Sequence, residues 1–370
     1  MKIRGAVLES AGRERPYATS RPISIAELDL DPPGPGEVLV RIEAAGICHS
    51  DLSVVDGNRP RPTPMLLGHE AAGRIEQVGT GVDSLDVGQR VVMAFLPRCN
   101  ECAECKTDGK LPCQPGSVAN NAGTLLTGGI RLHRDGQDVN HHLGVSGFAS
   151  HAVVDQHSVV PVGDDVPAEI AAVLGCAVLT GGGAVINAGK PEPGETVMVV
   201  GLGGVGMAAL ITAISLGKGE VIGVDSMPEK LDVARRIGAT ATYSPQEVAQ
   251  LGIQAPVVIE AAGHPRAFET AIAATAPGGT TVTVGLPAPD ARSEISPLGL
   301  VAGARTVIGS YLGSAVPSRD IPIYAQLWRE GKLPVETLIS SRIPLSDINT
   351  AMDQLADGKA IRQVIVFDDK

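Results

Sequence analysis

Six cysteines and eight histidines are the residues of this 370-residue sequence best suited to metal or thiol chemistry. Four of the cysteines fall in one stretch, Cys99-x2-Cys102-x2-Cys105-x7-Cys113, on a loop that also carries Pro97, Asn100, Gly109 and Pro112. Tetrahedral zinc takes four soft ligands brought together by short loops of this kind. Adjacent C-x-x-C pairs close poorly as disulfides and catalytic thiols do not come in fours, so the spacing predicts a structural zinc site, with a redox cluster as the alternative. The other two cysteines stand apart: Cys48 in Gly46-Ile47-Cys48-His49-Ser50-Asp51 and Cys176 in Leu174-Gly175-Cys176. By type alone they read as buried free thiols. Converging with the imidazole of Gly68-His69-Glu70, they would instead form an open zinc site whose fourth position is left to water or substrate.

A third group of residues points to a nucleotide. Thr196 to Val200 is a short apolar, β-branched run, followed by Gly201-Leu202-Gly203-Gly204-Val205-Gly206 and the helix-forming Met207 to Leu216. In such a strand, turn and helix the first glycine permits the turn, the second lets backbone N–H groups approach a pyrophosphate, and the third packs helix against strand. A second strand, Glu220 to Val224, ends in Asp225, 19 residues beyond Gly206, where a carboxylate accepts both ribose hydroxyls of an adenosine and repels a 2′-phosphate. That selects NAD over NADP. The uncharged run from Thr196 to Gly217 is long enough to suggest a membrane span, but its glycines would interrupt a span after five residues and sit where a β-to-α turn needs them.

The elements that must position these groups fall into two kinds. From Lys2 to about Val162 the pattern is short strands and Pro/Gly turns, with Glu37 to Ala44 (Val38, Val40 and Ile42 on one face), Glu70 to Val78 and Gln89 to Ala94 the clearest strands. The nucleotide segment alternates strands and helices: Ser226-Met227-Pro228-Glu229 starts a helix that Gly238 ends, Ser244-Pro245-x-Glu247 starts another, and Val257 to Ile259, Thr280 to Val284 and Thr306 to Ile308 are strands. Beyond roughly Gly313, Ile321 to Glu330 and Asp347 to Leu355 read as helices and Gln363 to Phe367 as a strand. A formal charge of −11 without a basic block, and a pI near 5.2, argue against nucleic acid or an anionic membrane as partner and for a small molecule. With 44% hydrophobic residues and a mean hydropathy of +0.15 the chain has enough core for two domains. No signal-peptide-like run opens it, so the expected location is the cytoplasm.

Taken together, CHSD at Cys48, GHE at Gly68, the four-cysteine loop, GCAVLTG at Gly175, GLGGVG with its downstream aspartate, and GKAIRQVIVF near the end make the chain resemble the zinc-dependent medium-chain alcohol dehydrogenases. The long segment from Gln114 to Ser150 is most similar to the branch that includes animal alcohol dehydrogenases and thiol-dependent formaldehyde dehydrogenases. The resemblance implies an α/β protein: a doubly wound parallel-sheet (Rossmann) NAD domain over residues 179–312, and a β-rich GroES-like catalytic domain formed from residues 1–178 and the returning tail 313–370. It implies two zinc ions per chain. Cys48, His69 and Cys176 hold the catalytic one, with Glu70 behind the metal as an alternate ligand and Asp51 orienting His69. Cys99, Cys102, Cys105 and Cys113 hold the structural one. By the same resemblance Ser50 takes the alcohol proton, Phe95, Val118 and Phe148 line the substrate pocket, and Thr180, Val205, Lys230 and Arg362 contact the cofactor along with Gly201, Gly203, Gly204, Gly206 and Asp225. The strand at Thr306 joins two subunits, giving a homodimer, with a homotetramer as the alternative.

The chain also departs from the family. Ser53 stands where many members have the histidine that ends a proton relay, and His49 where many have an arginine against the pyrophosphate, which leaves His49 as either terminal base or anion contact. Ser117 lies where glutathione-dependent members place an arginine, which argues against that specialised activity. The expected reaction is hydride transfer between an alcohol or aldehyde and NAD. The rivals are formaldehyde oxidation through a thiol adduct, and a nucleotide-binding sensor without turnover.

Overall fold

The computed structural model describes residues 1–217 and 219–367. It divides into two compact units, one made of Met1–Cys176, Pro317–Ala325 and the segment from Ile339 onward, the other of Ala177–Val316 and Gln326–Leu338. The boundaries read from the sequence, at 178 and 312, lie within a few residues of the first two changes of unit, while Gln326–Leu338 groups with the nucleotide segment rather than with the tail.

The first unit contains a seven-stranded and a six-stranded sheet. The strand Glu37–Ile47 is the hub of the larger one: its first half pairs with His151–Asp155, its last residues pair with Arg362–Val366, and Glu70–Val78 runs along it. Alternation predicted one buried face, yet nearly every residue of this strand is buried. The other face is covered because Leu39 joins Ile3, Val7, Leu28, Leu30, Leu66 and Leu132 in a core shared with the smaller sheet. Such double coverage turns a half-apolar strand into a fully buried one. The segment 114–150 adds the helix Gln114–Ala122 and short strands, of which Leu132–Arg134 and Asn140–His141 join the smaller sheet. The C-terminal helices are Pro317–Arg329 and Ile348–Ala356.

The second unit holds a six-stranded, all-parallel sheet with spatial order Ala241–Tyr243, Val221–Val224, Val197–Val200, Ala255–Glu260, Thr275–Thr283, Thr306–Gly309. The order reverses between Val197–Val200 and Ala255–Glu260, which is where doubly wound sheets open a ligand crevice. The run suspected of spanning a membrane is the strand Val197–Val200 followed by the helix Gly204–Leu216. A different stretch, Ala168–Gly189, is the one helix among the described residues long and apolar enough to cross a membrane. Its most apolar 18-residue window is 89% buried within the protein, as in a core helix.

Candidate active site and metal centres

Three segments bring Cys48, His69 and Cys176 together. Cys48 caps the helix His49–Val55 as the hub strand ends, His69 immediately precedes the strand Glu70–Val78, and Cys176 lies in a π-helical turn, Leu174–Val178. That turn presses so close to the strand Arg90–Ala94 that a Cβ at Gly175 would stand 2.4 Å from the carbonyl oxygen of Met93, so only glycine lets Cys176 reach the site. The three ligand atoms lie within 4.8 Å of one another, and all three residues are buried.

The hydrogen bonds fix the chemistry of the imidazole. Nδ1 of His69 lies 2.8 Å from Oδ1 of Asp51, and Nε2 lies 3.4 Å from Sγ of Cys176. Burial disfavours the charged ring, but Asp51 and the Cys48 thiol outweigh it and raise the His69 pKa well above its ordinary value, so the metal-free ring holds both protons; with Nδ1 kept on Asp51, it is the Nε2 proton that a metal would displace. Bonds of about 2.3 Å to sulfur and 2.0 Å to nitrogen set neighbouring ligands of a zinc tetrahedron ~3.6 Å apart, so the donor set fits zinc. Burial alone would raise the Asp51 pKa, but the adjacent His69 and His142 rings outweigh it and hold the carboxyl at about 2. Its second oxygen accepts the Cys48 backbone N–H at 2.9 Å. The hydrogen bond from Cys176 pulls the Cys48 thiol well below its ordinary range against the cost of burial, with Arg362 adding to the effect, while Cys176 is pushed up.

Behind the trio, Glu70 is fully buried and raised to about 7 by that burial, with Arg362 opposing it. Arg362 stands 3.4 Å from Oε2 of Glu70 and donates to the Ile47 carbonyl at 2.9 Å. It therefore belongs to the same unit as the trio, balancing charge behind the sulfurs. Phe95 meets His69 edge-on at 5.3 Å. Phe148 is fully buried, and Val118, on the helix Gln114–Ala122, is 56% exposed, so the two do not share one environment. His49 is exposed, Ser50 half-buried, and the Ser53 hydroxyl donates to the His49 carbonyl at 2.9 Å.

The four-cysteine lobe closes on itself. Sγ of Cys99 lies 3.9 Å from that of Cys105, as does Cys102 from Cys113, close to the ~3.8 Å edge of a zinc–thiolate tetrahedron. Four backbone N–H groups point at its sulfurs: Cys99 and Gly116 at Cys113, Cys102 at Cys99, and Cys105 at Cys102, each at 3.4 Å. Arg98, which the sequence reading missed, is 6% exposed and donates to the carbonyls of Glu104, Cys105 and Leu111. The Ser117 hydroxyl donates to the Cys113 carbonyl.

In the second unit each glycine of the fingerprint has its own reason. Gly201 has φ +92°, and a Cβ there would lie 2.6 Å from Ala262; one at Gly206 would overlap the Gly201 carbonyl; one at Gly203 would meet nothing within 4 Å. Only the last leaves open space, the cradle that a pyrophosphate would fill. Val205 follows Gly204, the first residue of the helix Gly204–Leu216. Oδ2 of Asp225 accepts the Leu202 N–H at 2.7 Å, tying the second strand to the glycine turn, and Lys230 Nζ lies 4.0 Å from that oxygen. Oδ1 accepts the Met227 N–H, so the next helix, Pro228–Arg236, starts from Met227 and not from a Ser226 cap: the Asp225 side chain already folds the turn. Thr180 precedes Gly181, which packs against Val205 and Ala209.

Comparison with known proteins agrees with this geometry. Residues 34–164 match the alcohol dehydrogenase GroES-like domain family and residues 204–329 the zinc-binding dehydrogenase family. The NDMA-dependent alcohol dehydrogenase of Amycolatopsis methanolica is 35% identical, with 99% of each chain covered, and the class-3 alcohol dehydrogenase of Drosophila melanogaster is 34% identical over 95% of this chain and 96% of its own. The crystal structure of benzyl alcohol dehydrogenase from Acinetobacter calcoaceticus superposes with a TM-score of 0.90 at 29% identity, covering all of both chains. The chain belongs to the zinc-dependent medium-chain alcohol dehydrogenases, a family of two-domain oxidoreductases that act on alcohols.

Proposed function

We propose that this enzyme interconverts small alcohols and aldehydes with NAD, using a zinc ion held by Cys48, His69 and Cys176 and a second held by the four-cysteine lobe. The observation that carries the reading is the placing of the His69 ring: Nδ1 lies 2.8 Å from Asp51 Oδ1 and Nε2 3.4 Å from Cys176 Sγ, so with Nδ1 bound to Asp51 it is Nε2 that faces a metal shared with two thiols. When bound, zinc supplies Lewis-acid polarisation of the substrate oxygen and NAD the two-electron acceptor. The chain's own residues do the rest. Asp51 keeps the imidazole oriented, Arg362 and Glu70 set the charge behind the sulfurs, and Phe95 backs His69 on the ring edge. The Ser50 hydroxyl passes the substrate proton outward. Ser53 is committed to a backbone carbonyl, which leaves the exposed His49 to hand that proton to water. Asp225 and the open Cα of Gly203 support NAD as the dinucleotide.

A homodimer is supported by the unpaired edge of Thr306–Gly309, with Val307, Leu298 and Val301 exposed on or near it. Six free cysteines, all within the four-cysteine lobe and the Cys48, His69 and Cys176 trio, support a reducing compartment such as the cytoplasm. A panel of alcohols and aldehydes assayed with NAD and NADP tests the reading. NAD is expected to give the higher kcat/KM, and Asp225→Gly to narrow the gap by about tenfold, the order of one charge contact. Equal kcat/KM for both cofactors in the parent enzyme, or no turnover with any substrate, would sink it.

A further inference from the structure

Beside the trio lies a histidine with no place in the chemistry described so far. His142 is 1% exposed, its ring meets that of His69 edge-on at 5.6 Å, and its Nδ1 stands 3.3 Å from Oδ1 of Asp51, the oxygen that also bonds His69. Among the described residues neither of its ring nitrogens completes a hydrogen bond. Leaving both nitrogens of a buried imidazole unsatisfied is costly and calls for a reason. The loop is built to hold the ring there: the His142 carbonyl accepts the N–H groups of Val145 and Ser146, and its own N–H donates to the Ser146 hydroxyl at 3.0 Å.

Asp51 supplies the reason. It is a fully buried carboxylate with one backbone donor on Oδ2 and one imidazole on Oδ1, which leaves lone pairs facing protein rather than water. With one donor on each oxygen, Oδ1, the atom that orients His69, still has a lone pair to spare. The His142 Nδ1 stands 3.3 Å from that oxygen.

We propose that His142 is a positioning residue: its Nδ1, 3.3 Å from Oδ1 without an aligned bond, turns in as a third donor to Asp51, fixes the carboxylate that orients His69, and so sets the metal affinity of the Cys48, His69 and Cys176 site. The inference rests on the reading of that trio as a zinc site. Residues standing behind a metal ligand change affinity by about 10–100-fold when removed. Three holoenzyme variants separate donation from packing. His142→Phe keeps the ring and loses the donor, His142→Asn keeps an N–H near the Nδ1 position, and His142→Phe in an Asp51→Asn background asks whether the effect passes through Asp51. Each is read by zinc content, by the rate of zinc loss to a chelator, and by the absorption bands of cobalt placed in the trio.

His142→Phe is expected to lose one of two zinc ions at least tenfold faster and to shift the cobalt bands. His142→Asn is expected to stay within about threefold of the parent, and His142→Phe to add nothing once Asp51 is Asn. A His142→Phe protein that matches the parent in both readouts, a His142→Asn protein as impaired as His142→Phe, or full additivity with Asp51→Asn overturns the proposal. Should His142→Phe fail to fold, the His142→Asn comparison and the cycle repeated with His142→Gln, whose amide sits nearer the Nε2 position, decide it by the same criteria. A parent enzyme that binds only the lobe zinc would overturn the reading of the trio itself, an outcome distinct from unchanged variants of a two-zinc parent.

Discussion

The two cysteine-rich regions use the same donor atom in opposite ways. The lobe draws its four ligands from fifteen consecutive residues, leaves three of them partly exposed, and surrounds its sulfurs with backbone N–H groups of the same loop. The trio draws three ligands from positions 48, 69 and 176, buries all of them, and depends on the carboxylate of Asp51, a second histidine at 142 and an arginine at 362. A closed set of four thiolates has no room for substrate and serves folding; an open set of three leaves a position for chemistry. Ligand type does not separate a structural metal from a catalytic one here. Ligand number and the distance along the chain do.

Substitution of one ligand in each set should therefore have opposite consequences. Cys176→Ala should fold, retain one zinc per chain and lose turnover by about 10⁴-fold, several kcal/mol of transition-state stabilisation. Full activity in that variant, measured beside its metal content, would remove the trio from catalysis. Cys105→Ala should lose the lobe zinc and about 4 kcal/mol of stability in denaturant titrations, because binding a structural metal is part of folding. If the two variants changed places, the comparison would be inverted.

Acid sharpens it. Asp51 titrates at about 2 in the folded protein against roughly 3.9 in an unfolded chain. A depressed folded-state pKa contributes stability that is present above the unfolded value and lost as pH falls through the folded one. The contribution, on the order of 2 kcal/mol, should therefore disappear between about pH 4 and pH 2. Denaturant titrations of parent and Asp51→Asn at pH 5 and pH 2.5 should show the gap between them shrinking at the lower pH, and a constant gap would count against the ionised carboxylate.

The smallest effect belongs to a region outside both metal sets. His133 bridges Asp31 at 2.9 Å and Asp138 at 3.0 Å, and its pKa is raised by those partners, Asp31 foremost. Raised folded-state affinity for a proton stabilises fully below about pH 6.5 and is lost as pH rises through the raised value. His133→Gln should cost less than about 1 kcal/mol at pH 5 and nothing measurable at pH 9, since the partners are exposed. It should leave zinc content unchanged. A loss of zinc in this variant would mean that the metal sites are coupled to the small sheet's edge.

The residue order alone determined what is local. The lobe's ligand set, the strand–glycine turn–helix of Val197–Leu216, the Ser244–Glu247 capping box, and the alternating strands and helices of the second unit all depend on residues a few positions apart. Their spacing therefore carries their geometry. Tertiary structure decided what depends on packing between distant segments. The hub strand is buried on both faces because Leu39 meets a second sheet, Asp225 ties its strand to the glycine turn because its carboxylate reaches Leu202, and Arg362 stands beside Glu70. His142 left no trace in the sequence, because one histidine in a short loop has neither period nor partner until the fold brings Asp51 to 3.3 Å from it. A metal ligand can be recognised by type and spacing, but the buried carboxylate and imidazole that aim it are ordinary residues whose role exists only once the chain has closed around them.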